Sequence, residues 1–294
     1  MNQTELTESL KRISEKEYQR FRRFHHTHSK KSLHISGNDV FYYSCGCGKP
    51  AILTFAGGWG PPEIIYDMIL SLEEKNKIIV IDVSPFDDPE DLCRGINRVL
   101  ESENTERVLL SGQSMSGIVA QTYLKRNAER VTGLILTNTI APRKERCKKW
   151  ALALFKAMPQ PFLRAATRIK LKSLGEFEKE VSNEVKERRR FAAALMRHIM
   201  DQYFTKKNTL NMLKLAYSFN EKDTYSEDDF TTWQGRALIV TSKDDPYHSD
   251  VYILMQSIPN AELFTFPSGF KHTAPQIFRE EFYALIQQFA DKLR

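Results

Sequence analysis

Apolar residues in this chain fall in short runs, and stretches of helical spacing separate them. Runs at 33–36, 40–44, 51–55, 77–83, 107–111, 131–138, 236–242 and 262–267 read as strands. One of them, Ile78-Ile79-Val80-Ile81, has no polar alternation and so is buried on both faces, the habit of a parallel strand. Helical spacing fills 62–75, 88–103, 115–127, 247–257 and 275–293. Strands alternating with helices predict a doubly wound α/β sheet, mostly parallel and here eight-stranded.

Two stretches break the alternation. Residues 1–30 are charged, with Leu6, Leu10 and Ile13 at helical spacing, and predict an exposed basic arm or a short helix lying on the core. From 138 to 233 about 90 residues carry helical patterning and almost no strand signal. Trp150, Leu152, Leu154 and Phe155 open that stretch, and 191–200 and 210–217 continue it. The division expected is therefore an arm at 1–31, a core at 32–140 and 232–294, and a helical insert at 141–231 after the sixth strand.

Charge sharpens this division. The chain of 294 residues has a formal charge of +6, yet residues 143–214 hold 19 Lys/Arg against 7 Asp/Glu. The remainder, with 24 basic against 30 acidic residues, is net acidic. A solvated set of helices accounts for such an excess; an acidic substrate, an anionic membrane surface or a protein partner would use it. Nucleic acid is not expected, because no binding module accompanies the charge. The polar, acidic start shows no secretory signal, and no apolar run approaches the ~20 residues of a membrane span. Four cysteines, Cys45, Cys47, Cys93 and Cys147, are scattered and read as reduced thiols of a cytoplasmic protein. A metal site at His25, His26 and His28 would need fixed geometry and further ligands, and is not expected. Gly57-Gly58-Trp59-Gly60 is neither a P-loop nor a dinucleotide fingerprint, so no cofactor is expected.

The chemistry is concentrated in a few turns that follow strands. Gly112-Gln113-Ser114-Met115-Ser116-Gly117 breaks an apolar strand into a sharp turn with Ser114 at its tip. Asp244 and Asp245 end the strand at 236–242, and His272 lies in the loop after the strand at 262–267. Open α/β sheets gather their chemistry at this edge, past the C-terminal ends of the strands. A serine hydroxyl is a poor nucleophile until a base takes its proton, and His272 is the base in reach of that role. His248 competes for it, but precedes the last strand and begins a helix.

Taken in order, Ser114, Asp245 and His272 resemble the triad of the α/β-hydrolase superfamily, whose nucleophile elbow reads G-x-S-x-G. Ser116 stands where that pattern has glycine, and either is silent or reaches the site. Residues 41–60 are similar to the superfamily's hairpin, strand and oxyanion loop, with Ala56-Gly57 in place of the usual His-Gly. The resemblance implies backbone N–H donors at Gly58 and Met115 and a pocket position for Trp59, and makes the insert a cap over the site. It favours Asp245 over Asp244 as the acid, leaving Asp244 to cap the following helix. Tyr18-Gln19-Arg20-Phe21-Arg22 and Leu134-Ile135-Leu136-Thr137-Asn138 are loosely similar to maspardin-type members, which are adaptor-like and lack a complete triad. All three triad residues are present here.

The function that follows is hydrolysis of a small carboxylic ester or related acyl compound through an acyl-enzyme. Thioester, carbon–carbon and lyase chemistry use the same triad. A binding or scaffolding protein with a vestigial triad is the alternative of another class.

Overall fold

The computed structural model describes residues 3–56, 60–147, 149–175, 179–226 and 229–294. Eight strands form one sheet: β1 (Lys31–Ile35), β2 (Asn38–Cys45), β3 (Ala51–Phe55), β4 (Ile78–Ile81), β5 (Val108–Gln113), β6 (Val131–Thr137), β7 (Arg236–Ser242) and β8 (Ala261–Phe266). Their order across the sheet is β1-β2-β4-β3-β5-β6-β7-β8. From β4 to β8 every neighbouring pair is parallel, while β2 runs antiparallel to both β1 and β4. The eight expected runs are these eight strands, with ends shifted by a few residues.

Successive residues of the central strands enter different cores. Leu53, Phe55, Ile79, Ile81 and Leu110 join one apolar cluster, whereas Ile52, Ile78, Val80 and Leu109 join another. The period-2 alternation of a strand sends neighbours to opposite faces, so two buried faces require an unbroken apolar run. Helices α3 (Tyr66–Leu72), α4 (Pro89–Ser102), α5 (Met115–Arg126), α10 (Val251–Ser257), α11 (Ala274–Ile277) and α12 (Arg279–Asp291) belong to this sheet. Three expected helices differ in detail. The first begins as a 3₁₀ turn at Pro62–Ile65, and the one expected at 247–257 begins as a 3₁₀ turn at His248–Asp250. The last is broken at Phe278, where ψ is 44°.

The N-terminal stretch is two helices, α1 (Gln3–Ile13) and α2 (Glu15–Thr27). Leu10 and Phe24 are fully buried in the second cluster, so the pair is packed on the core. Arg279 of α12 pairs with Glu17 at 3.1 Å and fixes α2 in place.

Between β6 and β7 lie α6 (Lys149–Ala157), α7 (Gln160–Gly175), α8 (Asn183–Tyr203) and α9 (Lys206–Lys222). Buried carboxylates hold both ends of this insert. Asp250 accepts from Arg143 and Arg146 at 2.6 Å each and from the Ala141 N–H at 3.0 Å. At the far end Asp223 meets Arg126 at 2.9 Å and Thr122 at 3.1 Å. The insert reaches the segments after β4 and β8: Asn211 donates to the Ser84 and Pro85 carbonyls, and Arg188 to those of Gln276 and Ile277. Both segments leave the C-terminal ends of parallel strands, so the insert lies along that edge.

Candidate active site

Ser114 sits between the last residue of β5 and the first of α5, with φ 55° and ψ −120°. That is a strained backbone for a residue with a Cβ, and such strain persists only where neighbours fix it. Here the Ser114 N–H donates to the Thr137 carbonyl at 3.0 Å, and its carbonyl accepts from the Gly117 N–H and the Thr139 hydroxyl. The turn also needs its glycines. A Cβ on Gly112 would lie 2.6 Å from the Gly117 Cα, and one on Gly117 would lie 2.5 Å from the Thr139 hydroxyl oxygen. Ser114 itself is half-buried.

Ser116 does not reach outward. It is 4% exposed, and its hydroxyl donates to the Gln113 carbonyl and accepts from the Gln113 N–H, both at 2.8 Å. A serine at the glycine position thus braces the turn from inside. Gly117, one step on, supplies the small residue against Thr139 in the segment after β6.

His272 and Asp245 meet in a buried contact. The His272 Nδ1 lies 2.7 Å from Asp245 Oδ2, with both residues under 9% exposed. Asp245 Oδ1 also accepts from the Tyr247 N–H at 2.7 Å, and the Tyr247 ring packs edge-on against the imidazole. A carboxylate on Nδ1 fixes the tautomer, which leaves Nε2 as the free working nitrogen. His248 instead lies with Nδ1 3.3 Å from the Thr241 hydroxyl.

Three residues missed by sequence reasoning hold these groups. Asp244, expected to cap the following helix, does something else: its carboxylate accepts from the Gly269 N–H at 2.7 Å and the Lys271 N–H at 3.2 Å. It therefore braces the loop that carries His272, and the turn after β7 is satisfied by Asp245. Asn138, at φ 43°, donates from its amide to the His272 carbonyl at 3.2 Å. Thr139 holds the Ser114 carbonyl at 2.7 Å. The Asp-Asp pair was the one visible signal for Asp244; Asn138 and Thr139 act across more than 20 residues and carry no local signature.

Met115 opens α5, so its N–H points from the N-terminal end of a helix, where the dipole favours negative charge. Gly58 and Trp59, the other expected oxyanion and pocket positions, lie outside the described residues.

A narrow recess of about 10 Å³, room for about one water, adjoins the same strand edge. Its wall includes Ala56 after β3, Asp82 after β4, and Tyr203, Phe204, Thr209 and Met212 from the insert. The Tyr203 hydroxyl donates to the Asp82 carboxylate and lies 2.8 Å from the Ser84 hydroxyl. Burial pushes the Asp82 carboxyl above its ordinary value, against the lowering effect of these donors.

Among the described residues one group has the composition of a metal site. Ligand atoms of His28, Cys45 and Glu73 lie within 4.8 Å of one another. The His28 Nε2 already contacts Glu73, and burial pushes the Cys45 thiol up to about 12. Cys45 pairs in register with Ile78, the first residue of β4, so this group lies at the sheet edge opposite Ser114. All four cysteines are free of disulfides.

The model of the alpha/beta hydrolase fold matches residues 82–273. No curated protein matches the chain in sequence. Solved structures match over most of the length at low identity. A thermophilic esterase from Thermogutta terrifontis is 16% identical with a TM-score of 0.65, covering 90% of this chain and 99% of its own. The enol-lactonase from Burkholderia xenovorans LB400 is 16% identical with a TM-score of 0.66, covering 88% and 99%. A bromoperoxidase from Bacillus anthracis is 16% identical with a TM-score of 0.68, covering 90% and 100%. Three activities on one fold show that the backbone alone does not fix the chemistry.

Proposed function

Because the chain belongs to the alpha/beta hydrolase fold family, we propose that it is a serine hydrolase acting on a carboxylic ester or related acyl compound. The observation that carries this reading is the buried 2.7 Å contact between His272 and Asp245, on the strand edge where the elbow holds Ser114 at φ 55°. A strained serine and a buried, oriented imidazole on one strand edge favour this reading over a vestigial site.

In this reading the Ser114 hydroxyl oxygen attacks the acyl carbonyl carbon as His272 Nε2 takes its proton. The oxyanion that forms is held by the N–H groups of Met115 and Gly58. Collapse expels the alcohol, which receives the proton from His272 and leaves the acyl group on Ser114. Water, deprotonated by the same imidazole, then attacks the acyl carbon, frees the acid and restores the hydroxyl. Asp245 holds the tautomer and stabilises the imidazolium. Residues 141–231 act as a cap over the strand edge, with Tyr203, Phe204 and Met212 lining a recess on it.

Turnover of a panel of short aryl esters and thioesters tests the reading. Wild type hydrolyses at least one, and Ser114→Ala and His272→Ala each lower kcat by on the order of 10³-fold or more. A folded wild type inert to the whole panel would transfer the weight to a non-catalytic binding protein.

A further inference from the structure

Helix α6 reads Lys-Trp-Ala-Leu-Ala-Leu-Phe-Lys-Ala, seven of nine residues apolar, and so is apolar almost all round. Helices of that kind are ordinarily buried on every side. This one is not. Phe155 packs with Leu163 of α7, Phe204, Met158 and Met196 in a small cluster, which anchors one stripe of each helix. The other stripes face solvent: Trp150 is 66% exposed, Leu154 52%, Phe162 66% and Ile169 70%. Four of the seven large hydrophobic side chains exposed among the described residues thus fall within 20 positions.

Cations stand on the same helices. At 100° per residue, Lys149 and Lys156 lie together on the α9 side of α6, about 100–160° round from Trp150 and Leu154, and Lys172 lies about 60–80° from the Phe162–Ile169 stripe. All three are exposed. An open groove between α6 and α9, lined by Lys149, Leu152, Ala153, Lys156, Tyr217 and Glu221, holds the first two of these lysines at one side of α6. The rest of the chain is net acidic, so the molecule has a charge asymmetry that turns this end toward a negative surface.

We infer that the outer faces of α6 and α7 dock on an anionic lipid surface, with Trp150, Leu154, Phe162 and Ile169 entering the acyl boundary and the lysines of these helices meeting headgroups. Charge complementarity selects this occupant: a basic helix pair with an aromatic and aliphatic row matches an interface that is apolar below and anionic above. A second copy of the chain would bring one basic patch against another, and like charges oppose that contact. The docking is independent of the hydrolase reading and does not involve Ser114.

Co-sedimentation of the full chain with vesicles tests it. Wild type binds phosphatidylcholine vesicles containing phosphatidylserine at least about tenfold more tightly than phosphatidylcholine alone, and salt weakens that binding. Trp150 emission shifts to the blue on binding, and Trp150→Phe removes the shift. The triple variant W150S/F162S/I169S loses binding by about tenfold or more while keeping the wild-type circular dichroism, because its side chains stand outside the core. K149E/K156E/K172E loses the preference for the anionic lipid, and Ser114→Ala binds as wild type does. The inference is overturned by equal binding to both vesicle types, by no binding to either, or by an unaffected triple variant. A dimer abolished by the triple variant would also overturn it, since the face would then belong to a second copy.

Discussion

Ser116 shows how a departure from a motif is absorbed. Its hydroxyl closes a two-bond bridge on Gln113 inside the turn, so glycine there would remove a brace without opening space at the nucleophile. Ser116→Gly is expected to lower stability by about 1–2 kcal/mol while leaving kcat within a few-fold of wild type, read by thermal unfolding and ester turnover. Gly112→Ala is the contrary case, because its methyl would meet backbone at 2.6 Å and displace the elbow. Asp82 makes a prediction of a different kind. Burial raises its carboxyl, so the folded chain holds that proton more tightly than the unfolded one. Its contribution is therefore most favourable below the unfolded value of about 4 and is lost as pH rises through the higher folded value. Asp82→Asn should accordingly gain more stability over wild type at alkaline than at acid pH; a gain independent of pH would contradict this. The placement of Ser114, Asp245 and His272 on one edge was legible because each follows the C-terminal end of a strand. Asn138, Thr139 and Asp244 were not, because their work is to hold backbone far away in sequence.

At the level of elements, the insert is tied to the core by two buried carboxylates. Removing Asp250 leaves the Ala141 N–H without its acceptor and, among the described residues, the side chains of Arg143 and Arg146 with only the Ser249 and Ala141 carbonyls. Both arginines keep about a third of their side chains in water, which limits the loss. Asp250→Ala is expected to destabilise by about 2–3 kcal/mol, and limited proteolysis should cut first near 141–147. Strands were read well from sequence because a sheet buried on both faces demands unbroken apolar runs. Helix ends were read less well. The break at Phe278 comes from stacking of its ring on Phe266 at 5.4 Å and an edge contact to Phe270 at 5.0 Å, a tertiary cause with no local signal. In α2 a charged surface hid the burial of Phe24, whereas Leu10 of α1 was visible by its helical spacing.

Across the whole molecule, parallel strands carry Ser114, Asp245 and His272 to one edge, while the insert spans that edge and concentrates the positive charge. Among the described residues no helix is long and apolar enough to cross a membrane. The reaction assigned to this edge depends on one atom, the Ser114 hydroxyl oxygen. Its most direct test is mass mapping of the adduct formed with a fluorophosphonate. The account predicts a single adduct on Ser114, absent from Ser114→Ala and slowed strongly in His272→Ala. An adduct on Ser116, or a folded wild type that takes up no label, would contradict it.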